Sequence, residues 1–221
     1  MNSRRLVSAA LAGKAVPRCP TGPLAVHYCA RLSGISLRQY TLDAQALADS
    51  VVCYYRRFRP DAVWLSADTW VNAEAMGVAV GFTDENQPAG GLGPPLVRTA
   101  EDLAKLPPPD PARLGRWPLM LQALRSIRHA LGEEVFLVAC FDQYPFSLAS
   151  QLLGVNRMMT AVLEERPLVE ASMARCLEYT LAYAAALAQA GADMLSGGDS
   201  PAGLIGPRLY REVAQPFEKE F

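Results

Sequence analysis

A chain of 221 residues, 51% hydrophobic and with a formal net charge of −1, has the size and apolar content of one soluble globular domain. The near-neutral charge, with Lys and Arg scattered, argues against nucleic acid, which demands a basic face. No stretch approaches the roughly 20 apolar residues of a membrane span, and five cysteines without paired spacing read as the reduced thiols of a cytoplasmic protein.

The first apolar run, residues 6–12, follows Arg4 and Arg5. It is at the short limit for a signal-peptide core, and Gly13 and Lys14 follow at once, so an amphipathic first helix is expected. Residues 24–28 read as the first strand. Asp43 caps a predicted helix that carries Leu47, Val51, Tyr54 and Phe58 on one stripe. Arg56, Arg57 and Arg59 sit at its end, where cations suit the helix dipole. Residues 62–67 read as the second strand and residues 78–82 as a short extra one.

Residues 83–115 are the least regular, with Gly90-Gly91, Pro94-Pro95 and Pro107-Pro108-Pro109. Thr99 and Asp102 suggest one capped turn at 101–106. So long a connection is either a functional loop or a plain spacer. Pro118 suits the first turn of a helix with Met120, Leu124, Ile127 and Leu131 in period, and Gly132 stops it. Residues 135–140 read as the third strand. A long helix from about Pro167 carries Met173, Cys176, Thr180, Tyr183 and Leu187 and ends at Gly191. Residues 193–197 form the last expected strand.

Short apolar strands alternating with longer helices predict an α/β fold with parallel strands buried on both faces. The count is about four β/α units after an N-terminal helix, whereas a closed (β/α)8 TIM barrel needs eight in about 250 residues. The doubly wound alternative lacks its Gly-rich phosphate turn: Gly197-Gly198 follow a strand, but the rest of the pattern is missing.

Several segments in order resemble the uroporphyrinogen decarboxylase (URO-D) family, including its methylcobamide:thiol methyltransferase branch of coenzyme M type. Residues 5–14 resemble the family's first helix, and Pro17-Arg18-Cys19-Pro20 its approach to strand one. Ser66-Ala67-Asp68 with Glu74-Ala75-Met76-Gly77 resembles its strand-two aspartate and the following turn. Residues 101–106 and Pro145-Phe146-Ser147-Leu148-Ala149 resemble the next two segments. Residues 191–193, 199–207 and 215–217 resemble strand four and its successor helix. The resemblance implies a TIM barrel of which residues 1–221 are a single N-terminal portion, incomplete as it stands, with the C-terminal half of the family's domain absent.

What the resemblance implies for chemistry falls on seven residues. Asp68 would contact the inner nitrogens of a tetrapyrrole and stabilise the positive charge of a protonated pyrrole; its plain alternative is an N-cap. The family's decarboxylases place two arginines four apart after strand one. Here His27 and Arg31 hold that spacing, with Cys29 between, so one arginine is kept and one replaced by a group that matches carboxylates less well. A family tyrosine is replaced by Gln151. Ser200 falls at a family serine that touches substrate, and Asp199 beside it is a candidate polar contact, both with helix capping as the alternative. His27-x-Cys29 with Cys140 invites zinc, but the family's zinc-binding His-x-Cys lies in the absent half. No metal or other cofactor is therefore expected within this chain, and zinc belongs to the full-length methyltransferase.

The altered arginine pair and tyrosine favour the methyltransferase branch, in which a zinc-bound thiolate takes a methyl group from a methylated corrinoid. The expected partner is a tetrapyrrole or a methylcorrinoid protein as substrate, and the chain alone is expected to be inactive. The alternatives are uroporphyrinogen decarboxylation, a step of porphyrin and heme biosynthesis, and a non-catalytic half-barrel. Open sheet edges in such a half-barrel would favour self-association or pairing with a complementary C-terminal half.

Overall fold

The computed structural model describes residues 1–221. In chain order it comprises α1 (Ser3–Leu11), α2 (His27–Ser33), α3 (Leu37–Leu42), α4 (Ala44–Phe58), β1 (Ala62–Leu65), α5 (Val71–Ala75), β2 (Val80–Gly81), β3 (Ala89–Gly90), α6 (Ala100–Ala104) and α7 (Trp117–Leu131). There follow β4 (Phe136–Gln143), α8 (Pro145–Leu153), α9 (Val155–Glu164), α10 (Arg166–Gln189), β5 (Met194–Gly198), α11 (Gly206–Leu209) and α12 (Gln215–Glu220). No helix is long and apolar enough to cross a membrane.

The predicted caps form as local chemistry requires. The Asp43 carboxylate accepts from the backbone N–H groups of Gln45 and Ala46 and starts α4. Thr99 and Asp102 close a capping box on α6. Pro118 lies in the first turn of α7, and Gly132 ends that helix with φ +67°.

β1, β4 and β5 form one parallel sheet in that order, with Ala62 opposite Phe136 and Val138 opposite Met194. β2 and β3 make a separate antiparallel pair. Strand alternation sends Val63, Leu65, Leu137 and Ala139 into the main core, where helices α4, α7 and α10 cover them. Ala62, Phe136 and Val138 face the other way and pack on Val7 of α1. This is the expected α/β arrangement of consecutive parallel strands, in which one sheet face meets helices and the other would line a barrel interior.

The sheet has three strands, not four, because residues 24–28 are not a strand. Residues 24 and 25 are irregular, and α2 begins at His27. The strand's place is taken earlier, where the Thr21 carbonyl accepts from the N–H groups of Asp61 and Ala62. Pro17, Pro20 and Pro23 lack the N–H that a ladder needs, so the segment lies beside β1 without continuing it. Asp61 ties it down. Its carboxylate accepts two hydrogen bonds from Arg18, at 2.6 and 2.7 Å, and others from the Thr21 N–H and the Ser3 hydroxyl.

β4 carries one irregularity. Its pairing with β5 steps from Cys140–Ser196 to Asp142–Gly197, so Phe141 is an extra residue in a bulge and Asp142 takes φ +67°. The Phe141 ring occupies the space over Gly197, where a Cβ would come within 2.2 Å of it.

Candidate functional site

The C-terminal ends of β1, β4 and β5 lie side by side. In a parallel α/β sheet these tips carry the reactive groups, because the loops that follow them are free to vary. The chain leaves β1 through Ser66, Ala67 and Asp68. The buried Tyr40 hydroxyl donates to the Ser66 carbonyl at 2.9 Å, and His27 Nε2 donates to the Ala67 carbonyl at 2.8 Å. His27 also meets Tyr40 edge-on, at 6.0 Å between ring centroids. The imidazole thereby braces the β1 exit.

Asp68 is buried, its side chain 1% exposed, and it is paired. Arg116, from the turn before α7, donates Nη1 to Oδ2 at 2.5 Å and Nη2 to Oδ1 at 3.2 Å. The Trp70 N–H also donates to Oδ1 at 2.8 Å, closing a tight turn that leads into α5. Asp68 therefore caps a turn and neutralises an arginine at once. Arg116 Nε donates to Glu74 at 2.5 Å, and its guanidinium lies 4.8 Å over the Phe82 ring. Burial opposes the charge of Arg116, but the two carboxylates hold its pKa above the ordinary value.

Asp142, at the β4 bulge, was not singled out from the sequence. Both of its carboxylate oxygens are buried and without a hydrogen-bond partner, as is the nearby Tyr183 hydroxyl of α10. Burial raises the Asp142 pKa well above the carboxylate range; the charge of Asp68 adds to this, while the charge of Arg116 and the backbone N–H groups of Asn72 and Val71 at the start of α5 oppose it. The available signal was an acidic residue at the end of an apolar run, the same one that marked Asp68.

Gln151 of α8 does reach the β1 tip. Its amide donates to the Thr69 carbonyl at 2.9 Å, and its own carbonyl oxygen is buried and unpartnered. It lines a cleft of about 240 Å³ with Gly77, Leu92, Pro94, Pro95 and Leu96. The long irregular connection thus forms one wall of this cleft. Trp70 packs against the β2–β3 hairpin so closely that a Cβ at Gly90 would lie 2.1 Å from its ring.

Asp199 and Ser200 follow β5, two strands away. Asp199 caps a helix, but not the one that follows it: its Oδ1 accepts from the Ser147 N–H at 2.6 Å, in the first turn of α8. Burial raises the Asp199 pKa and the neighbouring Glu218 carboxyl adds to this, while Ser147 opposes. Glu218 in turn accepts from the Tyr210 hydroxyl at 2.5 Å. Ser200 is exposed at the start of a short 3-10 turn.

The structure thus gathers His27, Asp68 and Gln151 around the β1 exit. It places Asp199 and Ser200 at the β5 exit, and leaves Cys29 and Arg31 apart from both. Cys29 is buried, and burial pushes its thiol up to about 12. Arg31 is exposed on α2 with no ion-pair partner. These residues do not fit zinc. Burial also pushes the Cys140 thiol up to about 12, His27 is spent on a backbone carbonyl, and no three His, Cys, Asp or Glu side chains are placed to share an ion.

The model of one protein family, uroporphyrinogen decarboxylase (URO-D), matches residues 2–221. The methylcobamide:CoM methyltransferase MtaA of Methanosarcina barkeri is 26% identical over 218 residues, covering 96% of this chain and 63% of that protein. The uroporphyrinogen decarboxylase of Mycobacterium tuberculosis is 31% identical over 189 residues, covering 80% of this chain and 51% of its own length. A solved methyltransferase from Methanosarcina mazei superposes with a TM-score of 0.86 at 24% identity, over 98% of this chain and 65% of that one. The chain spans between about half and two thirds of the length of these relatives.

Proposed function

The chain belongs to the uroporphyrinogen decarboxylase family, and from that premise we propose that it comes from the corrinoid-dependent methyltransferase branch, its strand-tip face receiving a methylated corrinoid delivered by a partner protein. The observation that carries this reading is the pairing of Asp68 with Arg116. A carboxylate that is to stabilise a protonated pyrrole must face the ring with free lone pairs. Asp68 is enclosed, with one oxygen bonded to Arg116 and the other to Arg116 and the Trp70 N–H.

Two further features point the same way. An octacarboxylate substrate calls for guanidinium forks, and of the His27–Arg31 pair only Arg31 is one, while His27 holds a backbone carbonyl. The cleft beside the β1 tip is lined by glycine, proline and aliphatic side chains with the uncharged Gln151. Such a wall suits the flank of a large, mostly neutral ring. Zinc, which in this branch would keep an acceptor thiol deprotonated, finds no ligand set among the residues present.

Uroporphyrinogen decarboxylation is the second reading, favoured by the 31% identity to a decarboxylase. Calorimetric titration with methylcobalamin and with uroporphyrin, a stable octacarboxylate, separates the two. The proposal expects methylcobalamin to bind and Gln151→Ala to weaken it about tenfold, the loss of one or two good polar contacts. Tighter binding of uroporphyrin, lost on Arg31→Ala, would replace it with the second reading.

A further inference from the structure

The cleft beside the β1 exit carries no charge. Its walls are residues 77–79 and 91–96 with Gln151 and Gly154, and none of these has an ionisable side chain. At about 240 Å³ it has room for one short arm of a ligand and not for a whole tetrapyrrole ring. Gln151 is the one lining residue whose side chain forms hydrogen bonds. Its orientation is fixed, because the Thr69 carbonyl can only accept: Nε2 faces that carbonyl at 2.9 Å, and Oε1 is the atom left over. Oε1 is buried and has no donor. On the opposite lip, the backbone N–H groups of Leu92 and Gly93 donate to nothing in the chain.

We propose that this cleft is a carboxamide subsite. A neutral –CONH2 arm of the ligand donates from its nitrogen to Gln151 Oε1 and accepts at its oxygen from the backbone of the 91–93 lip. A primary amide carries a donor and an acceptor side by side, whereas an ionised carboxylate only accepts. A carboxylate arm would set oxygen against Oε1 and bring a charge out of water with no cation in the walls to meet it. An unpaired buried acceptor costs free energy, which the incoming N–H recovers. To reach Oε1 the arm must part the cleft slightly. Gly91 and Gly93, where a Cβ would meet nothing within 4 Å, leave the lip free to give.

This deepens the proposed function and rests on it for the identity of the ligand. The periphery of a corrinoid ring bears carboxamide arms, where that of uroporphyrinogen bears carboxylates. The subsite itself is testable with fragments that contain no ring.

The 1H–15N spectrum of the chain is titrated at pH 7.5 with propionamide and, separately, with propionate. Propionamide is expected to shift the Gln151 side-chain resonance and the Leu92 and Gly93 backbone resonances, and propionate to bind about tenfold more weakly, the worth of one good polar contact. Calorimetry repeats the comparison on whole rings, with dicyanocobinamide against dicyanocobyrinic acid, which carries carboxylates in place of the amides. Gln151→Met keeps the bulk of the side chain and should erase the preference in both experiments. Equal shifts from the two fragments, no shift from either, or a preference that survives Gln151→Met would overturn the subsite. Should Gln151→Met fold poorly, the two fragments on the wild-type chain still decide it. A fragment preference without binding of either ring would uphold the subsite and remove the corrinoid reading; binding of the rings without a fragment preference would do the reverse.

Discussion

Asp68 and Arg116, 48 positions apart, meet through two hydrogen bonds of 2.5 and 3.2 Å in a site closed to water. Removing one partner of a buried pair leaves the other charged and unsolvated, at a cost of about 3–5 kcal/mol. Arg116→Met strands the buried Asp68 and unpairs the partly exposed Glu74, and is expected to lose an amount within that range. Asp68→Asn keeps an acceptor for Arg116 and should lose less. Chemical denaturation at neutral pH measures both, and equal losses would count against the shared role of Arg116.

Asp61 anchors the segment that stands in for the first strand. Its hydrogen bonds from Arg18, with those from the Thr21 N–H and the Ser3 hydroxyl, outweigh burial and lower its pKa to about 2. A carboxylate with a depressed pKa contributes stability above its unfolded value near 4, and that contribution is lost as pH falls towards 2. Asp61→Asn should therefore destabilise the chain at pH 6 and flatten the fall in unfolding midpoint between pH 4 and pH 2.5. A variant that loses stability as steeply as wild type in that window would show that other groups govern the acid limb.

The five thiols divide by environment. Cys19 and Cys53 are exposed, Cys29 and Cys176 are buried, and Cys140 lies between. Burial keeps Cys29, Cys140 and Cys176 protonated well above neutral pH, and only the thiolate is nucleophilic. A disulfide reagent at pH 8 is expected to label two thiols rapidly in the folded chain, and all five after denaturation. Rapid labelling of a third, mapped to Cys140, would mean that the open sheet face is more accessible than the structure indicates.

Gly197 leaves the space that the Phe141 ring fills at the bulge. Gly197→Ala must displace that ring or part β4 from β5, and overpacking of this kind costs about 1–3 kcal/mol. Gly203, where a Cβ meets nothing within 4 Å, is the control, and its alanine variant should melt close to wild type. Thermal melts of the two variants side by side test this.

Much of the architecture was legible in the residues. The Asp43 cap, the Pro118 and Gly132 bounds of α7, the capping box at Thr99 and Asp102, and the strands near residues 62, 135 and 193 all appear where periodicity and capping put them. The strand expected at residues 24–28 fails because an apolar run alone does not say which backbone groups remain free to pair. Three prolines had already fixed the chain beside β1 a few residues earlier. At the site, the position of Asp68 was readable but its company was not, and Asp199 caps α8 instead of its own successor.

The sequence by itself determined helices α1, α4, α6, α7 and α10, three of the strands and the α/β order, because each rests on capping and apolar spacing local to its own segment. Only the tertiary structure decided that Asp68 is matched to Arg116 and that Asp142 has no counter-ion. Charges scattered along a chain are interchangeable in water. Which of them pair is settled when packing brings a few together where water cannot screen them and too few cations are present for the anions.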